Sequence, residues 1–293
     1  MLEAIRRDLA RQVTSEGVLA TCLPDVSIVH FTHPHELRGT WTRSLCLVAG
    51  GAKELLLERE RFAYKPGQFV LASIDLPLVS RVTHATRAKP YLCLRIELDP
   101  AMIADVVAQL DERAARRSSV HRALFVGDAS PNFLAAAARL ANLLPSPDDA
   151  RVLGPAAIRE MIYWLLRGEL APHVMRFATP DTDANRILRA AQHIRDRLAH
   201  PLDVTSLCRT AGMSRSTFFA KFNQVTATSP IQYQKQLRLA RGQQLLGYGE
   251  DVADAAHAVG YASASQFSRE YSRMFGHAPR LDIAKPLGRR RAV

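Results

Sequence analysis

The chain has 293 residues, 47% of them hydrophobic and 23% charged, with a net charge of +11, which is enough for two domains of ordinary size and a substantial core. No apolar run approaches the length of a membrane span, and the opening MLEAIRRDLARQV lacks the apolar stretch of a secretion signal, so a soluble, cytoplasmic protein with no membrane partner is expected. The four cysteines, Cys22, Cys46, Cys93 and Cys208, are far apart and form no CxxC pair, which argues for reduced thiols and against a zinc knuckle.

In chain order, residues 1 to about 20 read as an amphipathic helix, with Ile5, Leu9 and Val13 on one stripe. From about 21 to 98 the pattern becomes short strands: LCLVAG, ELLLE, RFAY, QFVLAS, LVSRVTH and YLCLRIEL, separated by Gly, Pro and charged turns as in a sandwich or small barrel. The last of these alternates, with Leu92, Leu94, Ile96 and Leu98 facing one way and Cys93, Arg95 and Glu97 the other. The first face packs on a core; the second meets water or lines a polar cavity, and periodicity leaves both open. From about 99 to 170 the chain turns helical, in AMIADVVAQL, NFLAAAARLANLL and GPAAIREMIYWLLRG, with stripes that suit packing on the strands or against a second copy of the chain. APHVMRFATPDTD, from Ala171 to Asp183, shows no periodicity and reads as a linker.

Beyond the linker, a helix buries Ile187, Leu188, Ala191, Ile194 and Leu198 and leads into a motif written twice. DVTSLCRTAG at Asp203 is echoed by DVADAAHAVG at Asp251, and STFFAKFNQVTATSP at Ser216 by SQFSREYSRMFGHAP at Ser265. Each copy has a short helix, a Gly turn (Gly212, Gly260), a Ser-rich cap and a second helix, which is the sequence form of a helix-turn-helix. In the second helices Phe218, Phe222 and Val225, and Phe267, Tyr271 and Met274, share an apolar face; the opposite faces are small, polar and partly cationic, as a major groove admits. The segment between the copies, beginning at Pro230 and ending near Gly247, reads as a helix of about 16 residues, roughly 24 Å long at 1.5 Å per residue, able to hold both reading helices on one side of a duplex. Gly242 inside it is unexpected, at a cost of up to about 1 kcal/mol relative to Ala. From Asp181 to the end, 17 Lys and Arg stand against 9 Asp and Glu, compared with 22 against 19 before it, so the excess positive charge lies where phosphate contact needs it.

The last 110 or so residues resemble the DNA-binding domain of the AraC/XylS transcription regulators, through VGYASASQFSREYSRMFGHAPR, the Arg238-Leu239 pair and the order of elements. GGAKELLL, PGQFVLASIDLP, KPYLCLRIELD and GPAAIREMIYWLLRGE resemble the sensor domain of one AraC-type subgroup. The resemblance implies an α+β chain. Residues 1–175 would form a cupin-like β-barrel (about 21–98) with associated helices (about 99–170), binding an effector or dimerising. Residues 176–293 would form an all-α domain with helix-turn-helix motifs at 203–225 and 251–275.

Carried over position by position, the DNA-facing residues are Arg215, Ser216, Asn223 and Gln224 from the first copy and Ser265, Gln266, Ser268 and Arg269 from the second; Lys221, Lys235, Arg273 and Arg280 suit phosphates. The alternative for Arg269 is an ion pair with Glu270. The first copy departs from the family at Phe219 and Ala220; Phe219 suits either a thymine methyl or burial against the preceding helix.

Trp41, Cys46, Tyr91, Cys93 and Arg95 are candidates for lining an effector pocket, each with a purely structural alternative, and the two cysteines could meet small electrophiles. His30, His33, His35 and Glu36 cluster, with His84 as an imaginable remote ligand, but cupin metal spacing is not reproduced, so a polar loop is expected and no metal or cofactor. No catalytic motif occurs. The expected function is a non-enzymatic, sequence-specific transcription regulator acting on double-stranded promoter DNA under a small-molecule effector, with RNA polymerase and a second copy as further candidate partners. The competing reading is a cupin-type metalloenzyme with a nucleic-acid- or partner-binding helical tail.

Overall fold

The computed structural model describes residues 1–58, 60–110 and 122–283; residues 284–293, the end of the expected DNA-binding segment, lie outside these. Two antiparallel sheets face one another. The six-stranded sheet comprises β1 (Gly17–Ala20), β2 (Val26–Phe31), β4 (Ser44–Gly50), β7 (Gln68–Ala72), β9 (Tyr91–Glu97) and β10 (Leu124–Asp128), in the order β1-β2-β9-β4-β7-β10. The four-stranded sheet holds β3 (His35–Trp41), β5 (Ala52–Leu57), β6 (Glu60–Tyr64) and β8 (Leu76–His84), in the order β3-β8-β5-β6. The cupin-like barrel is thus an open pair of sheets.

Helices cover the outer face of the larger sheet. α1 (Leu2–Ala10) packs its buried Ile5 and Leu9 on β4 and β9 and on α3 (Pro131–Leu143). α3 lies against α4 (Pro147–Leu166), and α4 meets both α2 (Pro100–Ala108) and α5 (Ala171–Ala178). Helix α1 ends before Val13, which packs on the core from outside it. α5 replaces most of the expected linker: Pro172 stands in its first turn, where the missing N–H costs nothing, and Val174, Met175 and Phe177 are buried. The irregular connection shrinks to residues 179–182.

The remaining described chain is helical: α6 (Asp183–Asp196), α7 (Val204–Ala211), α8 (Arg215–Thr226), α9 (Pro230–Gly247), α10 (Val252–Ala258), α11 (Ala264–Phe275) and α12 (Arg280–Ile283). α9 runs for 18 residues, about 27 Å at 1.5 Å per residue, and touches β3 and β8 of the smaller sheet. The apolar interior falls into two clusters. One joins the sheets, their covering helices and the first helix-turn-helix, through Leu207, Phe218, Phe222 and Val225. The other belongs to the second copy and the end of α9, with Leu246, Ala255, Phe267, Tyr271 and Phe275.

Gly242 has a packing reason that propensity could not reveal. A Cβ there would stand 2.7 Å from two ring carbons of Phe267, itself fully buried. Gly242→Ala is therefore expected to lower stability by about 1–3 kcal/mol, because overpacking outweighs the helix-propensity gain. Chemical denaturation measures it, and a more stable variant would show that Phe267 yields freely.

Candidate nucleic-acid interface and sensor interior

The two helix-turn-helix units are built from the same local devices. Asp203 caps α7 by accepting the Ser206 N–H at 3.0 Å, and Asp251 caps α10 by accepting the Ala253 and Asp254 N–H groups at 2.7 and 2.9 Å. Those two bonds lower the Asp251 pKa and keep it ionised at the positive end of the helix. The turns pass through positive φ, +61° at Gly212 and +87° at Gly260, where a Cβ at Gly260 would collide with the Ala199 carbonyl. Ser214 and Ser263 then cap α8 and α11.

On α8, Phe218, Phe222 and Val225 are buried while Arg215, Ser216, Asn223 and Gln224 are exposed. Phe219 is half-buried against the core, with the Arg215 guanidinium 5.6 Å from its ring centre. Lys221 is held by Asp183 of α6 at 3.1 Å, so that ion pair competes with any phosphate. On α11, Phe267, Tyr271 and Phe275 are buried, and Phe275 takes the inward place expected for Met274, which is only half-buried. Ser265, Gln266, Arg269 and Arg273 are exposed and Ser268 is half-buried. Glu270 does not pair with Arg269. It accepts Lys235 Nζ at 3.0 Å and the Tyr261 hydroxyl at 2.7 Å, which leaves Arg269 without a charged partner among the described residues. The same bridge occupies Lys235. An open hollow beside Ser265, Ser268 and Ser272 is bounded by the α10 N-terminus and by Pro279 and Arg280.

Arg122, just before β10, donates through Nη1 to the Asn223 and Gln224 carbonyls at 3.2 and 3.0 Å, and the Ala123 N–H meets the Val225 carbonyl at 3.1 Å. The end of the first reading helix is therefore bonded to the strand module through backbone groups, which leaves its side chains outward. A second junction centres on Asp75, between β7 and β8. Its carboxylate accepts the Arg43 backbone N–H at 2.8 Å and Arg195 Nη1 of α6 at 2.9 Å, and its carbonyl accepts the Tyr233 hydroxyl of α9 at 2.6 Å.

The inner faces of the two sheets converge on polar groups. The side of β9 opposite its leucines lines this interior: Arg95 donates to Ser27 and Thr42, and Tyr91 lies across from Lys53 of β5. Lys53 is 5% exposed and has no ion pair among the described residues; its ammonium sits 4.9 Å from the Trp41 ring centre and 5.3 Å from that of Tyr91. Burial pulls its pKa down to about 8. Cys46 and Cys93 are fully buried; Cys46 Sγ meets the Ser44 hydroxyl at 3.9 Å and the Cys93 thiol donates to the Leu94 carbonyl at 3.6 Å. Burial drives the Cys93 thiol well above its ordinary value; it opposes ionisation of Cys46 too, but Cys93, Arg95 and Lys53 bring that thiol below its usual value. Trp41 Nε1 and the Tyr64 and Tyr91 hydroxyls are buried without hydrogen-bond partners among the described residues. The five expected pocket residues thus come together, joined by two that sequence reasoning missed, Lys53 and Tyr64. The available signal was a lysine in phase with Leu55 and Leu57.

Of the clustered histidines, His33 lies in the loop between β2 and β3, its ring 5.4 Å from that of His35. His30 lies in β2 and His35 with Glu36 in β3, where Glu36 pairs with Arg38 and Arg81. Among the described residues no group of three His, Cys, Asp or Glu is placed to hold a metal, and no helix is long and apolar enough to cross a membrane.

Comparison with known proteins agrees with this architecture. ToxT from Vibrio cholerae superposes with a TM-score of 0.64 at 12% identity, over 90% of this chain and 98% of that one; its complex with an unsaturated fatty acid gives 0.63 at 12%, over 91% and 97%. At that identity the likeness is one of fold. By sequence, the RCS-specific HTH-type transcriptional activator RclR of Escherichia coli K12 is 34% identical over 95 residues, 32% of this chain and 34% of that protein. The HTH-type transcriptional regulator AlkR of Acinetobacter baylyi is 35% identical over 81 residues, 27% and 26% respectively. The chain thus matches about a third or less of the length of these relatives. A helix-turn-helix domain model matches residues 207–281, and the model described as the AraC-type transcriptional regulator N-terminus matches residues 22–173. With more than half its length in that N-terminal family and the repeated motif behind it, the chain belongs to the AraC-type transcriptional regulators.

Proposed function

We propose that α8 and α11 read two successive stretches of a promoter, with Arg215, Ser216, Asn223 and Gln224 acting from the first helix and Ser265, Gln266, Ser268 and Arg269 from the second. Arg273 contacts phosphate, and Lys221 does so when it leaves Asp183. The observation that carries this reading is Arg269: an exposed guanidinium on a serine-lined helix, its nearest acid already engaged by Lys235 and Tyr261. A free guanidinium there can take guanine bidentately. Arg269→Ala is expected to weaken operator binding by about 1–3 kcal/mol with the fold intact. Genome-wide mapping of bound DNA supplies the operator, and gel-shift titration with circular dichroism measures the change. Unaltered affinity would remove Arg269 from the interface, and affinity indifferent to salt would remove the groove-reading model altogether.

The sensor's effector is proposed to bind between the sheets, at Trp41, Cys46, Tyr91, Cys93 and Arg95 with Lys53. A buried ammonium beside orphaned indole and phenol groups is satisfied by a ligand that brings acceptors, an anionic one above all. The ligands in two ToxT structures, an unsaturated fatty acid and a naphthalenyl butenoic acid, are carboxylic acids, which agrees with that chemistry. Such an effector regulates only through different affinities for DNA-competent and incompetent arrangements. A second copy and RNA polymerase complete the proposed partners.

A further inference from the structure

A cavity of about 140 Å³ lies away from the sheet interior, where the larger sheet, its covering helices and the first helix of the DNA-binding module meet. Its apolar walls include Leu71 of β7, Ile103 of α2, Val174 and Phe177 of α5 and Leu188 of α6. A dry apolar cavity of about 150 Å³ takes up one benzene ring, so the space fits one compact ring or a short branched chain.

Its polar lining is Arg43, Ser73 and Asn185, the last of which already donates its amide to the Phe177 carbonyl at 2.8 Å. Arg43 lines the wall; its Nε donates to the Leu98 carbonyl at 2.8 Å and its backbone N–H to Asp75. The two terminal nitrogens of its guanidinium have no partner among the described residues. The nearest acid, Asp75, is committed to Arg195 at 2.9 Å. Ser73, a buried residue on the same wall, has no side-chain hydrogen bond among the described residues. A half-buried guanidinium with unused donors, facing an apolar space, calls for a carboxylate carried on a compact apolar body.

We propose that this cavity is a second small-molecule site, distinct from the sheet interior, for a compact apolar carboxylic acid held by Arg43 and Ser73 with its apolar body against Phe177 and Leu188. Because Asn185 and Leu188 belong to α6 and the rest of the lining to the chain before it, the complete site exists only while α6 is docked. Occupancy therefore favours the docked arrangement and adds to the contact that Asp75 and Arg195 make beside it.

The test is calorimetric titration of the full-length protein with cyclohexanecarboxylate and with its uncharged analogue cyclohexylmethanol. The acid is expected to bind saturably and at least about tenfold more tightly than the alcohol, the difference being a charge-assisted hydrogen bond. Affinity should fall by at least about tenfold in Arg43→Met, which removes that bond, and be lost in Ala178→Phe, which fills the space; both variants are checked by circular dichroism. Lys53→Met should leave this binding unchanged. Equal affinity for acid and alcohol, or no saturable binding to the wild type, overturns the proposal without any variant. Binding that survives Ala178→Phe but disappears in Lys53→Met overturns it as well, since it places the probe between the sheets.

Discussion

Lys53→Met is expected to stabilise the protein at neutral pH by about 3 kcal/mol, the free-energy equivalent of the depressed pKa of the buried ammonium. In the unfolded chain the lysine titrates near 10.5; in the folded protein it does so at about 8, with burial the main cause. Below pH 8 both states are charged and the folded state carries the full desolvation cost. Between pH 8 and 10.5 the folded protein has released a proton that the unfolded chain keeps, so wild-type stability rises with pH through that window. Above it both are neutral and the cost is gone. The advantage of methionine, a flexible apolar side chain of similar length, should therefore be largest at pH 7 and shrink toward pH 10.5, as denaturation of both proteins across that range would show. A pH-independent difference would mean that packing, not charge, separates them. The same substitution should abolish effector response, if the interior cation is kept at the expense of stability for the ligand it meets.

Asp75→Ala is expected to cost about 2 kcal/mol and to loosen the strand module from α6 and α9, because one carboxylate serves a backbone N–H and a guanidinium across the junction. Asp75 is 7% exposed, and without it Arg195 is left facing Arg43. Tyr233→Phe removes only the hydroxyl bond to the Asp75 carbonyl and should cost about 1 kcal/mol. Limited proteolysis at residues 179–182 reads out the loosening separately from global stability. If Asp75→Ala resists the protease like the wild type, the junction is held elsewhere.

The repeated motif was legible because its determinants are local. Asp203 and Asp251 cap, Gly212 and Gly260 turn, and aromatic residues recur every three to four positions, so order and spacing followed from the sequence, and so did the faces except where Phe275 takes the inward place of Met274. The strand module was half legible. β4, β5 and β7 to β9 announce themselves by apolar runs, but β3, HELRGTW, alternates weakly, and in β10, LFVGD, three apolar residues run straight into Gly-Asp, which reads as a turn. Both gain their identity by pairing with β8 and β7, far away in sequence. α5 was hidden by Pro172, which signals a break but begins the helix. The interior site was visible only as residue types. Once both faces of a strand are covered, alternation stops separating core from solvent, and Lys53 looked like one more charge in a turn.

The split of the apolar interior gives the two reading heads unequal mechanical standing. The first shares a continuous core with the sensor and is stapled to it through Arg122 and Ala123, whereas the second is sealed around Phe267 and Tyr271 as a nearly self-sufficient unit. The sensor therefore meets α8 by direct packing, whereas α11 is tied to it by the α9 shaft and by Arg38, which reaches the Met274 carbonyl at 3.5 Å. A unit with a separate core is expected to open and reseal with an equilibrium of its own, which hydrogen exchange at Phe267 and Tyr271 would measure. If α8 and α11 read the duplex as proposed, one half of it is gripped by a part packed on the sensor and the other by a part with a core of its own.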